Sequence, residues 1–509
     1  MNFSTMQKSY TITISFIVAL GGFLLGFDSA VISGAVGGIR NYFEMSDWEL
    51  GFSVGCVIFG AMIGNIFAGP LSDKYGRKII LILTAILFTV SAIWSALATA
   101  YYVFIIARII GGIGIGAAIL IAPIYIAEIA PPKLRGSLVS LNQLNIVLGI
   151  SVAYFSNYYL KDIDGESWRW MLGVEAIPAI IYFLALFGVP KSPRWLIQKL
   201  NKIAVAETIL IKIGGKEFAT ETIEEIIKGK DKKTTTGTIS DLFKSKFSKI
   251  LLIAFGLAFF QQITGINAIF YYAPTIFEQA GGSSDTSFLQ AIVVGLINLV
   301  FTFVAIVLID RLGRKPLLII GTATMTVALS MATIAFNNAT YEINQNNLQK
   351  IKNTEIHTAI SSLEGSQYTS QNELFKAVDP LLNIPQLKEF KQNEIKNLIT
   401  INATLVLLAI LLYVAAFAIS LGPVMWTMLS EIFPGNIKGI GISVVGFFNS
   451  LVSYTVTQFF PWELTNLGPT LTFAIYAIMA LLSLVFVYKF VIETKGKSLE
   501  EIENLLIQH

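Results

Sequence analysis

Three ionisable residues interrupt long apolar stretches in the first part of the chain: Asp28, Arg108 and Glu175. A charged side chain inside a bilayer costs about 2.5 to 3.5 kcal/mol on insertion scales, and such residues commonly mark proton or substrate pathways. Two carboxylates and one guanidinium leave one excess negative charge, which a single bound proton removes. We therefore expect the three residues to form a proton-binding group, with a static buried ion pair as the alternative.

The composition indicates which elements must position these residues. Hydrophobic residues make up 54% of the 509 residues and charged residues only 14%, and the mean hydropathy is +0.68. Because one bilayer crossing takes about 20 mostly apolar residues, we expect a polytopic membrane protein. Twelve candidate spans lie near residues 11–36, 50–70, 79–99, 103–128, 138–160, 170–190, 250–280, 287–309, 316–336, 400–430, 438–460 and 468–492. The three ionisable residues fall in the first, fourth and sixth spans.

Charged motifs of the first half return in the second half. The sequence GPLSDKYGRK at 69–78 is echoed by DRLGRK at 310–315, and EIAPPKLRG at 128–136 is echoed by EIFPGNIKG at 431–439. A weaker pair is PKSPR at 190–194 with IETKG at 492–496. Internal repeats are typical of transporters, whose binding sites lie between the repeats. They predict two six-helix halves, 1–190 and 249–496.

Basic residues in the loops predict the orientation, because cytoplasmic loops carry an excess of Lys and Arg. Residues 189–250, which include the predicted linker 191–248, hold 13 Lys and Arg against 7 Asp and Glu. The basic residues of the shorter loops fall on the same side: Lys74, Arg77, Lys78, Lys133, Arg135, Arg311, Arg314, Lys315 and Lys438. Both termini, including a tail at 497–509, are therefore expected in the cytoplasm.

The repeat spacing locates an insertion in the second half. Asp310 follows Asp73 by 237 residues, whereas Glu431 follows Glu128 by 303, so 66 residues were gained between these points. The polar stretch 337–400 accounts for them, and the topology places it on the outer side. We expect a few surface helices there, such as 386–399, that cap the outer mouth; a tolerated loop without a function is the alternative.

The repeated GRK loops, RIIGGIG at 108–114, PKSPR and ETKG resemble the sugar porter family of the major facilitator superfamily. The resemblance covers nearly the whole chain except 337–400. It implies an all-α fold of twelve transmembrane helices in two pseudo-symmetric six-helix halves, and monosaccharide transport by alternating access. Lys191 and Ile492 depart from the family, which usually has Glu and Pro there, so the resemblance defines the cytoplasmic gate less well.

The resemblance also implies roles for the three ionisable residues. Proton-coupled sugar porters have Asp at the position of Asp28, whereas facilitative animal glucose carriers generally have Asn. We therefore predict a proton-coupled monosaccharide symporter in which Asp28 carries the proton, Arg108 pairs with its deprotonated form and Glu175 tunes the pair. A facilitative sugar uniporter and a membrane sugar sensor are the alternatives.

Sugar hydroxyls both donate and accept hydrogen bonds, so a sugar site needs amides and an aromatic face. By the resemblance, the sugar-contacting positions are Gln143, Gln261, Gln262, Asn267, Asn298, Trp426 and Asn449. On an unbroken helix Gln262 and Asn267 would lie about 140° apart, so we expect the seventh helix to unwind near Thr264 and Gly265.

Further positions follow from the same comparison with the family. Tyr271, Tyr272 and Pro274 are expected to form an outer gate, and Gly422–Pro423 a hinge in the tenth helix. Ser450 and Ile150 replace an aromatic residue and an amide found in some family members. The sequence therefore leaves D-xylose, glucose, galactose, arabinose and fructose open as substrates.

The repeated loops supply matched charged residues. We expect contacts that close the inner mouth to involve Asp73, Arg77, Glu128 and Arg135 in the first half, and Asp310, Arg314, Glu431 and Lys438 in the second. Exposed ion pairs contribute roughly 0 to 1 kcal/mol each, which suits a gate that must open. The alternative is that the basic residues only anchor helix ends.

Other features argue against an enzyme or a cofactor protein. Gly111, Gly112, Gly114 and Gly116 resemble a nucleotide loop, but they lie in an apolar helix without a preceding strand, which favours close helix packing. His357 and His509 lie outside the spans and Cys56 is the only cysteine, so we expect no metal, cofactor or intramolecular disulfide. The expected partners are a monosaccharide, a proton and the lipid bilayer of a plasma or inner membrane, with no nucleic acid, for a monomer.

Overall fold

The computed structural model describes residues 5–163, 165–231, 238–351, 353–435, 437–497 and 499–507. The predicted linker and tail are therefore described in part, and His509 lies outside the described residues.

Among the described residues, twelve helical segments are long and apolar enough to cross a membrane. They are Gln7–Tyr42, Asp47–Tyr75, Arg77–Ala96, Tyr101–Ile129, Leu134–Leu160, Ser167–Leu186, Ser245–Tyr271, Ser284–Leu312, Arg314–Asn337, Ala403–Ile432, Lys438–Asn466 and Gly468–Phe490. Each overlaps one of the twelve predicted spans. The predicted fold class is confirmed, with one small sheet added to it.

The individual helices are α1 (Thr5–Tyr42), α2 (Asp47–Tyr75), α3 (Arg77–Ala96), α4 (Tyr101–Ile129), α5 (Pro132–Leu160), α6 (Ser167–Gly173), α7 (Ala176–Leu186), α8 (Pro193–Leu200), α9 (Ile203–Asp231), α10 (Ile239–Leu242), α11 (Ser248–Ile263), α12 (Ile266–Tyr271), α13 (Ala273–Gln279), α14 (Ser284–Leu312), α15 (Arg314–Asn337), α16 (Gln345–Leu348), α17 (Thr354–Ile360), α18 (Gln371–Val378), α19 (Ile384–Glu389), α20 (Ala403–Ile419), α21 (Leu421–Ile432), α22 (Lys438–Asn466), α23 (Gly468–Phe490) and α24 (Leu499–Ile507). The strands are β1 (Thr340–Ile343), β2 (Ser366–Tyr368) and β3 (Ile399–Thr400).

The chain divides into two compact units. Unit 1 contains Met1–Glu44, Phe52–Ser245 and Phe433–Tyr454. Unit 2 contains Met45–Gly51, Lys246–Ile432 and Thr455–His509. The halves at 1–190 and 249–496, with their linker and tail, stay a prediction from the repeat.

Glycines let the helices of unit 1 approach closely. A Cβ added to Gly112 on α4 would lie 2.2 Å from the carbonyl oxygen of Val57 on α2, and one on Gly116 would lie 2.1 Å from that of Ala61. Any side chain at these positions would collide with the backbone of the neighbouring helix. The glycine run at 111–116 therefore serves helix packing, as the apolar context predicts.

The two repeated loops have the same backbone turn. Gly76 precedes α3 with a φ of +93°, and Gly313 precedes α15 with a φ of +96°. This left-handed conformation is easily adopted only by glycine. The glycine of each GRK motif therefore turns the chain into the next helix, which gives the sequence repeat a structural equivalent.

The insertion at 337–400 is a small folded body in unit 2. Its antiparallel sheet has the strand order β2-β1-β3, and residues of the sheet and of the short helices share an apolar core that includes Ile343, Leu374, Phe390 and Leu398. The helix expected at 386–399 is present as α19 and the turns that follow it, as far as Asn397. The sequence did not indicate the strands, because they are only 4, 3 and 2 residues long.

Replacing Phe390 by alanine should open this body. The Phe390 side chain is fully buried, whereas Ile384, six residues earlier, is 85% exposed. Deleting a buried phenylalanine typically costs about 3 to 5 kcal/mol, so Phe390→Ala should make the insertion sensitive to limited proteolysis in reconstituted protein, while Ile384→Ala should not. Equal cleavage of the two variants would contradict an independent core.

Candidate functional site

The three buried charged residues of unit 1 lie together. Two nitrogens of the Arg108 guanidinium donate to the Asp28 carboxylate, with Nη1 2.5 Å from Oδ1 and Nη2 3.3 Å from Oδ2. Glu175 lies between α6 and α7, within electrostatic range of both Asp28 and Arg108. None of the three side chains is more than 2% exposed. The three residues are far apart in the sequence, in the first, fourth and sixth membrane spans, and the fold brings them together.

This arrangement constrains how many protons the group holds. Ionised carboxylates only accept hydrogen bonds, so the carboxyl groups of Asp28 and Glu175 could bond to each other only if one of them carried a proton. The guanidinium keeps its charge and balances one carboxylate, and a second carboxylate charge in a buried site is unfavourable. The Oε1 atom of Glu175 has no hydrogen-bond partner among the described residues. The group can therefore hold one exchangeable proton on its carboxyl pair.

Close packing of helices fixes this group. Gly26, two residues before Asp28, lies against α5, where an added Cβ would be 1.9 Å from the carbonyl oxygen of Ile146. Gly111, close to Arg108 on α4, lies against α3, where an added Cβ would be 2.4 Å from the Ser91 hydroxyl. The glycines let these helices pack closely against their neighbours near the charged group.

Cys56 is a neighbour that sequence reasoning did not assign to this group. It is fully buried on α2 and lies within electrostatic range of both Arg108 and Asp28. Its thiol donates to the carbonyl oxygen of Ser53. The sequence carried no signal for this placement, because a single cysteine in an apolar helix reads as a small hydrophobic residue.

In unit 2 the seventh span is broken where the sequence predicts it. Helix α11 ends at Ile263, Gly265 has a φ of +94°, and α12 starts at Ile266. The break lets the Asn267 amide donate to Gln262 Oε1 at 2.9 Å. An unbroken helix would hold these two side chains on different faces.

The amide chain continues from this break to the tenth span. Gln262 donates to Gln261 Oε1 at 3.2 Å, and Gln261 donates to the carbonyl oxygens of Leu421 and Gly422 at 3.0 and 3.3 Å. The tenth span is itself interrupted at Ser420, between α20 and α21. The interruption lies two residues before Gly422–Pro423, and a hinge there stays a prediction.

Two tyrosines that the sequence did not single out hold the break. The Tyr413 hydroxyl donates to the carbonyl oxygen of Thr264 at 2.9 Å. The ring of Tyr476 covers Gly265, where an added Cβ would lie 2.7 Å from the ring, and its hydroxyl donates to Glu463 at 3.0 Å. Glu463 was missed because the predicted eleventh span ended at 460, which placed the acid outside it.

The other predicted sugar and outer-gate residues are placed as follows. In unit 2, Asn298 is buried on α14, Trp426 is 44% exposed on α21, Tyr271 ends α12, and the Tyr272 hydroxyl donates to the carbonyl oxygen of Thr457. In unit 1, Gln143 is exposed on α5 and Asn449 is buried on α22. The structure thus brings Gln261, Gln262 and Asn267 into direct contact, and the roles of all these residues stay predictions.

The charged motif of unit 1 forms one cluster. Arg77 lies 2.9 Å from Asp73 and 3.0 Å from Glu128. Ser192, from the PKSPR motif, donates to Glu128 at 2.5 Å. The three separate motifs of the first half therefore meet around a single carboxylate, that of Glu128.

The charged motif of unit 2 repeats this cluster. Arg314 lies 3.4 Å from Asp310 and 2.9 Å from Glu431, and Thr494 donates to Glu431 at 2.5 Å. Arg135 and Lys438, the fourth predicted member of each set, form no ion pair with a residue that the structure describes. The predicted sets of four are thus clusters of three, each completed by a hydroxyl from the third motif.

The two clusters differ at one position. Glu493 accepts hydrogen bonds from the backbone N–H groups of Arg314 and Lys315 at 3.1 and 3.0 Å and so caps α15. Its counterpart in the repeat is Lys191, which cannot cap α3 and lies within electrostatic range of Lys78. Helix α3 starts without a side-chain cap.

The cap is charged at neutral pH. Partial burial would raise the pKa of Glu493, but hydrogen bonds from backbone N–H groups, including those of Lys495, Arg314 and Lys315, outweigh it and lower the pKa. A carboxyl whose pKa is lowered by folding stabilises the protein above its unfolded value, about 4.3 for Glu. The stabilisation by Glu493 is then lost as the pH falls below that value.

No metal centre accompanies these sites in the described part of the chain, where no three metal-binding side chains lie together.

Comparison with known proteins places the chain among transporters. A family profile described as "Sugar (and other) transporter" matches residues 14–355 and 390–506. The chain is 35% identical to the arabinose-proton symporter of Bacillus subtilis (strain 168), over 99% of this chain and 96% of that protein. It is also 35% identical to the D-xylose-proton symporter of Escherichia coli (strain K12), over 98% and 96%.

A solved structure agrees with the sequence comparison. The fold is similar to the inward-open conformation of the xylose transporter XylE from E. coli, with a TM-score of 0.75 and 34% identity. The match covers 97% of this chain and 100% of that structure. Of the chain, only residues 356–389 within the span from 14 to 506 lie outside the family profile, and they belong to the folded insertion.

Alanine at Gly265 should disrupt the break. An L-residue in the left-handed conformation costs roughly 1 to 2 kcal/mol, and the new methyl group would collide with Tyr476. We expect Gly265→Ala to weaken sugar binding to the purified protein at least tenfold, because Asn267 and Gln262 lose their alignment. Gly439→Ala is the matched control, since no atom lies within 4 Å of its added Cβ. Unchanged sugar binding by Gly265→Ala would contradict a role for the break.

A glutamate at position 191 should create the missing cap. A negative charge at a helix N-terminus typically contributes about 0.3 to 1 kcal/mol, so Lys191→Glu should raise the thermal unfolding midpoint, and the mirror change Glu493→Lys should lower it. Lys191→Gln separates the loss of repulsion with Lys78 from the gain of a cap. If Lys191→Glu stabilises no more than Lys191→Gln, the capping argument is wrong.

Proposed function

The chain belongs to the sugar (and other) transporter family, and we propose that it is a proton-coupled monosaccharide symporter that works by alternating access. The observation that carries the proposal is the buried group of Asp28, Arg108 and Glu175, in which one bound proton would balance the charges. The names of the two proton symporters described above support the same function. A facilitative carrier needs no such group, and burying it would only cost stability.

The contact between Asp28 and Arg108 gives the proton a mechanical effect. While Asp28 is ionised, the paired guanidinium ties α1 to α4 through two hydrogen bonds. Protonation of Asp28 removes the charge that Arg108 pairs with, and breaking a buried pair in this way typically costs about 3 to 5 kcal/mol. Glu175 lies beside both residues and can take over as the partner of Arg108. The proton thus changes which helices the guanidinium links.

The amide chain supplies the sugar chemistry. Gln262 and Asn267 bond to each other, and Gln261 is bonded to the tenth span. Sugar hydroxyls could take the place of these hydrogen-bond partners, because each hydroxyl can both donate and accept a hydrogen bond. Trp426, half exposed on α21, offers an aromatic face to the C–H side of the ring. Since Gln261 bonds to Leu421 and Gly422, a bound sugar would change a contact between two interrupted helices.

We propose that sugar and proton load from the outside, that the two halves then rock about the bound sugar, and that both are released inward. The proposed location is a plasma or inner membrane with both termini in the cytoplasm, which the basic loops support. The protein is proposed to act as a monomer without a cofactor and to catalyse no chemical reaction. Pentoses and hexoses are the proposed substrates, with D-xylose, L-arabinose and D-glucose as the first to test.

Substituting Asp28 should separate sugar movement from proton movement. In proteoliposomes in weak buffer, adding the right sugar outside should make the external medium alkaline, because each sugar enters with a proton. Asp28→Asn should abolish this alkalinisation and uphill accumulation, while exchange of labelled sugar across the membrane continues at a measurable rate. The exchange shows that the variant is folded and binds sugar.

Asp162→Asn is the control, since Asp162 is 79% exposed and should keep full coupling. Uptake of labelled sugar by the wild type without any pH change would make the protein a facilitative uniporter. Uphill accumulation by Asp28→Asn would show that another group carries the proton.

A further inference from the structure

A cavity of about 280 Å³ lies in unit 2 where the insertion meets three membrane helices. Its walls come from the end of α15, the end of α22, the start of α23, and β1 and α18 of the insertion. None of its lining residues is one of the predicted sugar-contacting residues. The cavity is therefore a feature that the proposed transport mechanism does not use.

The lining is polar but carries no charge. None of the fourteen residues around the cavity is Asp, Glu, Lys, Arg or His, although six Lys and seven acidic residues lie in 337–400. Anions such as phosphates are held by Arg, Lys or backbone N–H groups, and cations by carboxylates. The uncharged side chains of the lining favour a neutral ligand over a charged one.

The polar groups suit a ligand with several hydroxyls. Three amides line the cavity, from Asn337, Gln371 and Asn466, and each amide both donates and accepts. The Gln371 side chain reaches across to α23, where its Oε1 would lie 2.7 Å from a Cβ added to Gly468. The amides thus come from α15, from the insertion and from α22, and they surround the space.

Tyr341 adds a hydroxyl and an aromatic face to the lining. Only 5% of this residue is exposed, and its hydroxyl forms no hydrogen bond with a residue that the structure describes. Burial raises the pKa of Tyr341 to about 12, so the hydroxyl stays a neutral donor. Because Tyr341 lines the cavity, its hydroxyl can donate to a ligand there.

We infer that this cavity is a second sugar-binding site, formed by Tyr341, Gln371, Asn337 and Asn466, that takes one monosaccharide. The ligand class rests on the proposed function, whereas the existence of the site rests on the lining alone. The volume lies near the lower end of ligand pockets, roughly 300 to 1,000 Å³, which suits a single small ring. Phe336, Phe375 and Tyr341 supply apolar surface for its C–H faces.

Protection of an introduced cysteine tests the site. Cys56 is the only native cysteine and is buried, so Asn337→Cys can be labelled selectively with a hydrophilic maleimide in the full-length protein. Saturating D-xylose, or D-glucose or L-arabinose if one of these is transported, should slow the labelling at least fivefold. Gln345→Cys, on an exposed part of the insertion away from the cavity, should be labelled at the same rate with and without sugar.

Two further variants assign the protection to the cavity. Thr470→Trp places a large ring in the cavity and should abolish the protection, whereas Gln262→Ala, which damages the helix-seven amides, should leave it intact. Protection that persists in Gln262→Ala supports the second site even if the symport experiment fails. Protection that disappears in Gln262→Ala, or persists in Thr470→Trp, would overturn the second site.

Two other results would also overturn it. If none of the three sugars slows the labelling of Asn337→Cys, the cavity does not bind a monosaccharide. If labelling is already blocked in lipid bilayers without sugar and is restored in detergent, the occupant is the uncharged headgroup of a lipid.

Discussion

A guanidinium buried beside two carboxylates cannot give up its charge, so Arg108 needs a charged partner close by. This requirement determines much else in the unit. Asp28, Arg108 and Glu175 come from three different membrane helices, and those helices must stay close enough to keep the charges paired. Glycines at their contacts make that approach possible, because any larger residue would meet a neighbouring backbone or side chain. The apolar helices are thus organised around a polar centre that lipid alone would not tolerate.

Unit 2 has a different constraint, because two of its membrane helices are interrupted. Backbone that leaves the helical conformation at membrane depth must find partners within the protein. At the break beside Gly265, the Tyr413 hydroxyl donates to the carbonyl oxygen of Thr264, and the Gln261 amide does the same for the tenth span. Irregular backbone and binding amides occur together because both need polar partners that lipid cannot supply. A group that occupies the amides therefore also acts on the breaks.

The sequence predicted those parts of the structure that depend on local composition. The twelve spans follow from hydrophobic length, and the break in helix seven follows from the angle between Gln262 and Asn267. The positions of Cys56 and Glu463 could not be read in the same way, because their importance depends on which residues of distant helices face them. The strands of the insertion are too short to show alternation. The hydrogen bonds from the backbone of Arg314 and Lys315 to Glu493 join residues that are far apart in the sequence, so the sequence repeat alone did not predict them.

The pairing of β1 with β3 in the insertion determines how the extra segment is attached to its host. Thr340 is paired with Thr400 and Tyr341 with Ile399, so the two points where the chain enters and leaves the segment lie one strand spacing apart, about 4.8 Å. A segment with adjacent ends can be gained, lost or exchanged during evolution without moving the helices on either side of it. The helices before and after it, α15 and α20, can keep the geometry of an ancestor that lacked it. Such a segment can diversify independently of the membrane helices to which it is attached.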